Sequence, residues 1–507
     1  MLIKVTSQKS NHDPTKRTMN MKRISSLKIN WQPNKESKIP IYKQIVQFVC
    51  NKVANGEWMV GDVLPSQRIL AELFEVNRST IVTAIDELTS YGIVSGRFGA
   101  GTQIISNTWS LFLPNISNWN NHLMSGSFQE NNVMIQAINK LEFEPDVVRI
   151  GTGEIDPRLF SENIWKDILQ KVGSKIHSLG YTENLGLPEL RMAIAEHLKK
   201  TGLCAKPENI LITSGSLQAL QLIAESLLQK NSNVYTEAPS YLKSLQMFQS
   251  AGMNLKGIPM DSKGIEYWKL STSGKLNNSI LYTIPTNQNP TGITMTKDRR
   301  EKLMSYCIEN RLPIIEDGAY QELCYDNDAP KTLKAMDDNE MVIYLGTASK
   351  TLAPGLRIGW VVASEPIVQR LGDVKMQVDY GASSLSQWAM TEFLNSGLYD
   401  RYLKNLKNEL KNRRDNALKV LEENFSDLAN WNNPSGGFYI WLTFKKNIKI
   451  EKLFEEAIKE RILLNPGDIY DFKENHSLRL SFAYVNSFEF EQAIKKLVQI
   501  VKKIIPM

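Results

Sequence analysis

From Ile41 to Val53, apolar residues fall at Ile41, Ile45, Phe48, Val49 and Val53, the spacing of one helix face, until Asn55-Gly56 breaks the pattern. Pro65-Ser66 then supplies an N-cap for a short second helix, with Ile69, Leu70, Leu73 and Phe74 expected to face inward. After a turn at Val76-Asn77, Asn77 caps a third helix with Ile81, Ala84, Ile85 and Leu88 on one face. Two short helices across a tight turn predict a helix-turn-helix. Ile93-Val94 and Thr102-Gln103-Ile104, flanking a glycine-rich turn at 96–101, predict a two-stranded wing behind it.

Residues 106–146 lose this regularity, with Asn, Ser and Trp interspersed and no clean period. A stretch of that length without elements is better placed between domains than inside one. From Val147 onward, apolar strand-like runs at 209–213, 279–283, 312–316, 341–345 and 358–362 alternate with helical patterns. This alternation predicts an α/β domain with a mainly parallel sheet covered by helices. Beyond Gln387, long amphipathic helices lead to Gly436-Gly437-Phe438-Tyr439-Ile440-Trp441, read as part of a smaller C-terminal subdomain. The expected organisation is a leader at 1–30, a winged helix-turn-helix domain at 31–107, a linker at 108–146 and the α/β domain at 147–507.

Composition changes this picture little. Of the 507 residues, 42% are hydrophobic and 22% charged, ordinary globular values that set aside disordered, collagenous and disulfide-scaffold classes. Cys50, Cys204, Cys307 and Cys324 are scattered with no C-x-x-C pair, so no metal site is expected and a reducing cytoplasm fits. No apolar run is long enough to span a bilayer, and the charged N-terminus is unlike a secretory signal. The net charge of +6 resides wholly in residues 1–30, where seven Lys or Arg face Asp13 alone. That leader reads as a solvated arm, or as sequence upstream of a start at Met19 or Met21. Residues 31–107 hold seven basic and seven acidic residues, so any DNA binding has to come from placed side chains.

Several motifs lie just past the C-terminal ends of expected strands, where open α/β sheets bind ligands. In Gly346-Thr347-Ala348-Ser349-Lys350, the Lys350 amine can form a Schiff base with an aldehyde cofactor; Thr347, Ser349 and Arg357 can hold that cofactor's phosphate. Asp317 can pair with a pyridinium nitrogen, while Tyr320 and Asn289 can reach the ring hydroxyl. Thr213-Ser214-Gly215-Ser216-Leu217 joins a strand to an amphipathic helix, so its backbone amides and the Ser216 hydroxyl can face a phosphate. Each motif alone is commonplace, since acidic residues at strand ends are often caps and Asn before Pro is often a turn.

Together and in this order, the motifs from Tyr181 to Arg479 resemble the class I aminotransferases of fold type I, which use pyridoxal 5'-phosphate (PLP). The resemblance makes Lys350 the catalytic Schiff-base lysine. It also assigns Tyr181, which would reach the cofactor phosphate of a neighbouring subunit, Tyr241, which would stack on the cofactor ring, and Arg479, which would clamp a substrate or effector carboxylate. Thr347 stands where that family commonly has serine, and both are hydroxyls. Leu217 replaces a more usual polar residue, leaving its backbone amide to serve.

The head resembles the GntR-type winged helix through Ile39-Pro-Ile-Tyr-Lys-Gln-Ile45, Leu64-Pro65-Ser66-Gln67-Arg68, Val76-Asn-Arg78-Ser79-Thr80 and Gly99-Ala-Gly101-Thr102. That resemblance places Arg68, Arg78, Ser79 and Thr80 at phosphates and base edges, with Arg97 and Gly99 approaching the minor groove from the wing. The combination resembles the MocR-type regulators. It implies a cytoplasmic homodimer that binds a double-stranded DNA operator, carries PLP and senses a small amino compound or PLP itself. A working aminotransferase with a DNA-binding head is the alternative, since the residues needed for turnover are present.

Overall fold

The computed structural model describes residues 29, 31–54, 58, 61–97, 101–105, 131, 133–176, 178, 180–270, 278–326 and 328–504. The chain divides into two units, Met1–Gly126 and Ser127–Met507.

In the smaller unit, α1 (Ile41–Ala54), α2 (Gln67–Leu73) and α3 (Arg78–Ser90) enclose one apolar core. Ile45, Phe48, Val49 and Val53 of α1 meet Ile81, Ala84, Ile85 and Leu88 of α3, all buried as the helical spacing requires. Ser66 caps α2 by accepting the Ile69 amide, whereas Asn77 stands at the N-cap of α3 without a side-chain bond. The inward set expected for α2 is half right: Leu70 and Phe74 are buried, but Ile69 and Leu73 are exposed. A seven-residue helix turns only one narrow face to a core, and residues i and i+4 occupy it. The wing is richer than expected, because β1 (Val63–Leu64) joins β2 (Val94–Arg97) and β3 (Gly101–Ile104) in a three-stranded antiparallel sheet with β3 in the middle. Trp31, ahead of α1, stacks on Phe48 at 4.5 Å and meets Phe74 edge-on, tying the segment before α1 to the core.

In the larger unit, the stretch read as linker contains α4 (Val133–Leu141). Ile135 and Ile138 are buried, and Met134, Ala137 and Leu141 pack beside them, so this helix belongs to the core of the larger unit. Residues 106–130 of the expected linker lie outside the described residues. β4 (Val148–Arg149) pairs in parallel with β15 (Ile462–Leu463), joining the start of the unit to its C-terminal part.

The central sheet has eight strands: β5 (Ile210–Thr213), β6 (Asn233–Ala238), β7 (Asn254–Asp261), β8 (Gly264–Ile265), β9 (Ser279–Thr283), β10 (Ile314–Asp317), β11 (Val342–Thr347) and β12 (Gly359–Val362). Their order is β5-β12-β11-β10-β9-β6-β7-β8, with β12 and β8 running against the other six. The mainly parallel sheet read from the sequence is present. β5 and β9 through β12 are buried along their whole length, as helices on both faces demand. A second, antiparallel sheet of β13 (Ala429–Trp431), β14 (Tyr439–Phe444), β17 (Ser477–Ser481) and β16 (Asn465–Pro466) forms the smaller C-terminal layer. No helix of the described residues is long and apolar enough to cross a membrane.

Candidate functional site

Register places the strand-end motifs side by side. Gly359, at the start of the reversed β12, pairs with Thr213 on one side and Thr347 on the other. The loops that follow β5 and β11 and the loop that precedes β12 therefore meet at one edge of the sheet. That brings Ser214–Ser216, Ser349-Lys350 and Arg357 together. Strands β9 and β10 add Asn289 and Asp317 along the same edge, since Asp317 pairs with Leu345 of β11.

The loop after β5 is shaped by backbone conformation. Gly215, at φ 82°, is the N-cap of α5 (Ser216–Leu227), and no side chain caps that helix. The positive φ of Gly215 is a backbone conformation that other residues adopt only with strain, and a Cβ there would also stand 2.6 Å from an Arg357 nitrogen. Arg357 itself donates to the Ser214 carbonyl at 3.0 Å. The Ser214 amide donates to Gln218 at 2.7 Å, and the Gln218 amide nitrogen donates to Asp379 at 2.8 Å. Uncapped N–H groups, the helix dipole and an exposed guanidinium converge on one point, a ready site for a dianion. Thr347 lies at the root of this loop: its hydroxyl donates to the Ile358 carbonyl and accepts the Ser349 amide. Ser216 is half-buried, and the Leu217 side chain is exposed.

Lys350 is half-buried, and its amine donates to the Gly153 carbonyl at 2.7 Å. Asp317 accepts the Tyr282 hydroxyl at 2.6 Å and the Ala319 amide at 3.0 Å. Both donors are neutral, and burial pushes this carboxyl above its ordinary value even against those bonds and the Lys350 charge. A cationic ring nitrogen is the countercharge such a carboxylate calls for. The Tyr320 hydroxyl lies 2.7 Å from that of Tyr439, both fully buried. Dense packing pushes the Tyr241 phenol up to about 12, so it stays neutral.

Arg479, on β17, is 4% exposed. It donates to the Asn289 side chain at 2.9 Å and to the Gly151 carbonyl at 2.6 Å, and its buried Nε has no partner. The guanidinium is packed against the rings of Tyr439 at 4.3 Å and Tyr470 at 4.7 Å. A buried cation held only by neutral groups can accept a carboxylate as its counter-charge. Donor set, glycine loop and a buried carboxylate bonded to neutral donors fit PLP: Lys350 for its aldehyde, Asp317 for its nitrogen, the Gly215 loop and Arg357 for its phosphate.

Tyr181 stands apart from this cluster. It is 84% exposed, and its ring meets that of Tyr380 at a tilt, with centroids 5.1 Å apart. Sequence reasoning missed Gly151, Gly153, Gln218, Tyr282 and Tyr439. The two glycines carried a signal, a Gly-Thr-Gly run after a strand, and a Cβ on either would collide with Asn465 or Tyr439.

In the smaller unit, Arg78 and Ser79 are exposed in the first turn of α3, with Thr80 half-buried behind them. Arg68 is exposed and paired with Glu72 at 3.2 Å. The Arg97 side chain and Gly99 lie outside the described residues. No group of His, Cys, Asp and Glu suited to a metal ion occurs among the described residues.

The model of the class I and II aminotransferases matches residues 145–497, and that of bacterial regulatory proteins of the gntR family matches residues 41–104. The solved kynurenine aminotransferase of Pyrococcus horikoshii, in complex with PMP, superposes with a TM-score of 0.70 at 32% identity, covering 74% of this chain and 95% of that one. Fold and site thus define a winged helix-turn-helix joined to an aminotransferase-type domain. Over 476 residues the chain is 45% identical to an uncharacterized HTH-type transcriptional regulator, YisV, of Bacillus subtilis, covering 94% of this chain and 98% of that protein. It is 35% identical to the HTH-type transcriptional regulator NorG of Staphylococcus aureus (strain USA300), over 87% of this chain and 100% of NorG. The chain belongs to the MocR-type regulators, in which a GntR-family head precedes a class I and II aminotransferase domain.

Proposed function

We propose that this protein is a cytoplasmic DNA-binding transcription regulator whose larger domain holds PLP at Lys350 and responds to a small amino compound or to PLP supply. The observation that carries the reading is the meeting, at one sheet edge, of Lys350, Asp317, the Gly215 cradle with Arg357, and the buried Arg479–Asn289 pair. PLP, when bound, supplies an aldehyde for amines and a ring that accepts electrons. The chain supplies the rest. Ser216, the Leu217 amide, Thr347, Ser349 and Arg357 hold the phosphate; Asp317 keeps the ring nitrogen protonated; Asn289 and Tyr320 face the ring oxygen; Tyr241 covers the ring. Arg479 selects an effector that carries a carboxylate.

The DNA contacts are assigned to Arg68, Arg78, Ser79, Thr80, Arg97 and Gly99, with the start of α3 in the major groove. A homodimer would present two heads to two half-sites, and Tyr181 would reach the cofactor phosphate of the second copy. The domain limits proposed are 31–107 for the head and the remainder from the described helix α4 onward for the larger domain. An effector moves the operator equilibrium only by binding two states unequally.

The test is an absorbance spectrum of the full chain with PLP before and after borohydride, with the labelled peptide identified. A visible band fixed at Lys350, absent in Lys350→Ala, is expected; label spread over surface lysines would refute the cofactor reading. The intact donor set, Arg479 and Asn289 included, also suits transamination. Incubation with amino donors and a keto acid separates the two: loss of one donor per site accords with sensing, many turnovers with an enzyme.

A further inference from the structure

Tyr439 joins the two halves of the candidate site. It lies on β14, directly after Gly437-Phe438, and is 1% exposed. Its hydroxyl is 2.7 Å from the Tyr320 hydroxyl, and its ring faces the Arg479 guanidinium at 4.3 Å. The same hydroxyl fills the space beside Gly153, where a Cβ would come within 2.4 Å of it; the Gly153 carbonyl is the acceptor of the Lys350 amine. One side chain thus touches Tyr320, which would face the ring oxygen of bound PLP, Arg479, which would receive a carboxylate, and Gly153, on whose carbonyl the lysine rests.

A phenol carries one proton. If Tyr320 donated its hydrogen bond to the ring oxygen of bound PLP, its own oxygen would be left as an acceptor, and Tyr439 stands at hydrogen-bond distance to fill it. The two hydroxyls then form a chain in which each bond polarises the next. At the other end, the Arg479 cation over the Tyr439 ring draws on its π electrons and strengthens its hydroxyl as a donor. A carboxylate that neutralises Arg479 weakens that pull.

We infer that Tyr439 is a positioning residue that relays the presence of a carboxylate at Arg479 to the cofactor ring oxygen through the Tyr320 hydroxyl. The inference rests on the reading that Lys350 holds PLP. It assigns Tyr439 to effector sensing rather than to packing alone.

The test is a pH titration of the visible band of the PLP-loaded full chain. Hydrogen bonds to the ring oxygen make it a weaker base, so the lysine-linked nitrogen sharing its proton gives it up at lower pH. Removing the Tyr439 hydroxyl in Tyr439→Phe should raise the midpoint by about half a unit to one unit, the scale of one hydrogen bond. In a Tyr320→Phe background the same change should add nothing, because the relay is already cut. Maleate, which has carboxylates and no amine, should shift the wild-type midpoint, and the shift should shrink by about half in Tyr439→Phe. Gly153→Ala, which crowds the hydroxyl from the other side, should raise the midpoint as well.

An unchanged midpoint with an unchanged maleate shift in Tyr439→Phe would overturn the relay, as would an additive effect in the Tyr320→Phe background. A wild-type protein without a Lys350-fixed band would defeat the cofactor reading before any variant is compared, so the two failures are distinct.

Discussion

Glu237, at the end of β6 and 1% exposed, accepts the Thr283 hydroxyl and the Ile284 amide. Burial nevertheless pushes its carboxyl up to about 7, against an ordinary value of 4.5. The folded state therefore keeps a proton that the unfolded chain has already lost between those two values. Stability from this group is full below the unfolded value and is lost as pH rises toward 7, after which it is level. Glu237→Gln keeps the shape and removes the titration. Relative to that variant, the wild type should lose roughly 2 to 3 kcal/mol of stability between pH 4 and pH 8. Urea denaturation of both proteins across that range reads the difference, and parallel stability curves would mean that Glu237 does not titrate there. Asp317 departs from its ordinary value in the same direction, yet it differs in place: Glu237 lies inside the sheet's own hydrogen bonds, whereas Asp317 ends β10 at the edge where the candidate site residues meet.

Among the elements, α3 carries the most direct prediction. Arg78 opens the helix with an exposed side chain, where a recognition helix meets phosphates and base edges. Arg78→Ala should weaken operator binding about tenfold, lower the salt dependence by about one counterion if the contact is to phosphate, and leave the PLP spectrum unchanged. Electrophoretic or anisotropy titrations at two salt concentrations measure it, and equal affinity for both proteins would remove Arg78 from the interface. The position of α3 was legible because Ile81, Ala84, Ile85 and Leu88 repeat at helical spacing over a full face. The strand-end motifs were legible because each follows a continuous apolar run, and parallel strands end at a common edge. Other features lay beyond local pattern. The partner of β4 stands more than three hundred residues away, and nothing near Val148 points to Ile462. α4 had its signal in Met134, Ile138 and Leu141, but irregular sequence around it masked a single two-turn face. Ile69 and Leu73 misled because in a short helix apolar spacing does not say which residues the neighbours can cover. Tyr439 read as one more aromatic in a strand until the pairing of β14 with β17 set it beside Arg479.

For the whole molecule, the informative surface is the aromatic pair Tyr181 and Tyr380, exposed by 84% and 57% and in contact at a tilt, with ring centroids 5.1 Å apart. Two large rings held together in water lose area that neither recovers from the core, and a second copy of the chain is the partner that the proposed function requires. The pair is also tied to the loop at Gly215: Asp379, beside Tyr380, accepts from Gln218, which in turn accepts the Ser214 amide. Replacing both tyrosines by alanine should raise the dimer dissociation constant by a factor of ten to one hundred or so, the usual cost of truncating aromatic anchors. Sedimentation velocity over a concentration series measures this directly. Operator binding should then weaken at protein concentrations below the new dissociation constant, because two linked heads bind two half-sites far more tightly than one head binds one. At higher concentration the affinity should return, since the heads themselves are untouched. A variant that stays dimeric at the wild-type concentration would place the subunit boundary elsewhere. A variant that becomes monomeric yet binds the operator with undiminished affinity would refute the two-headed mode of recognition.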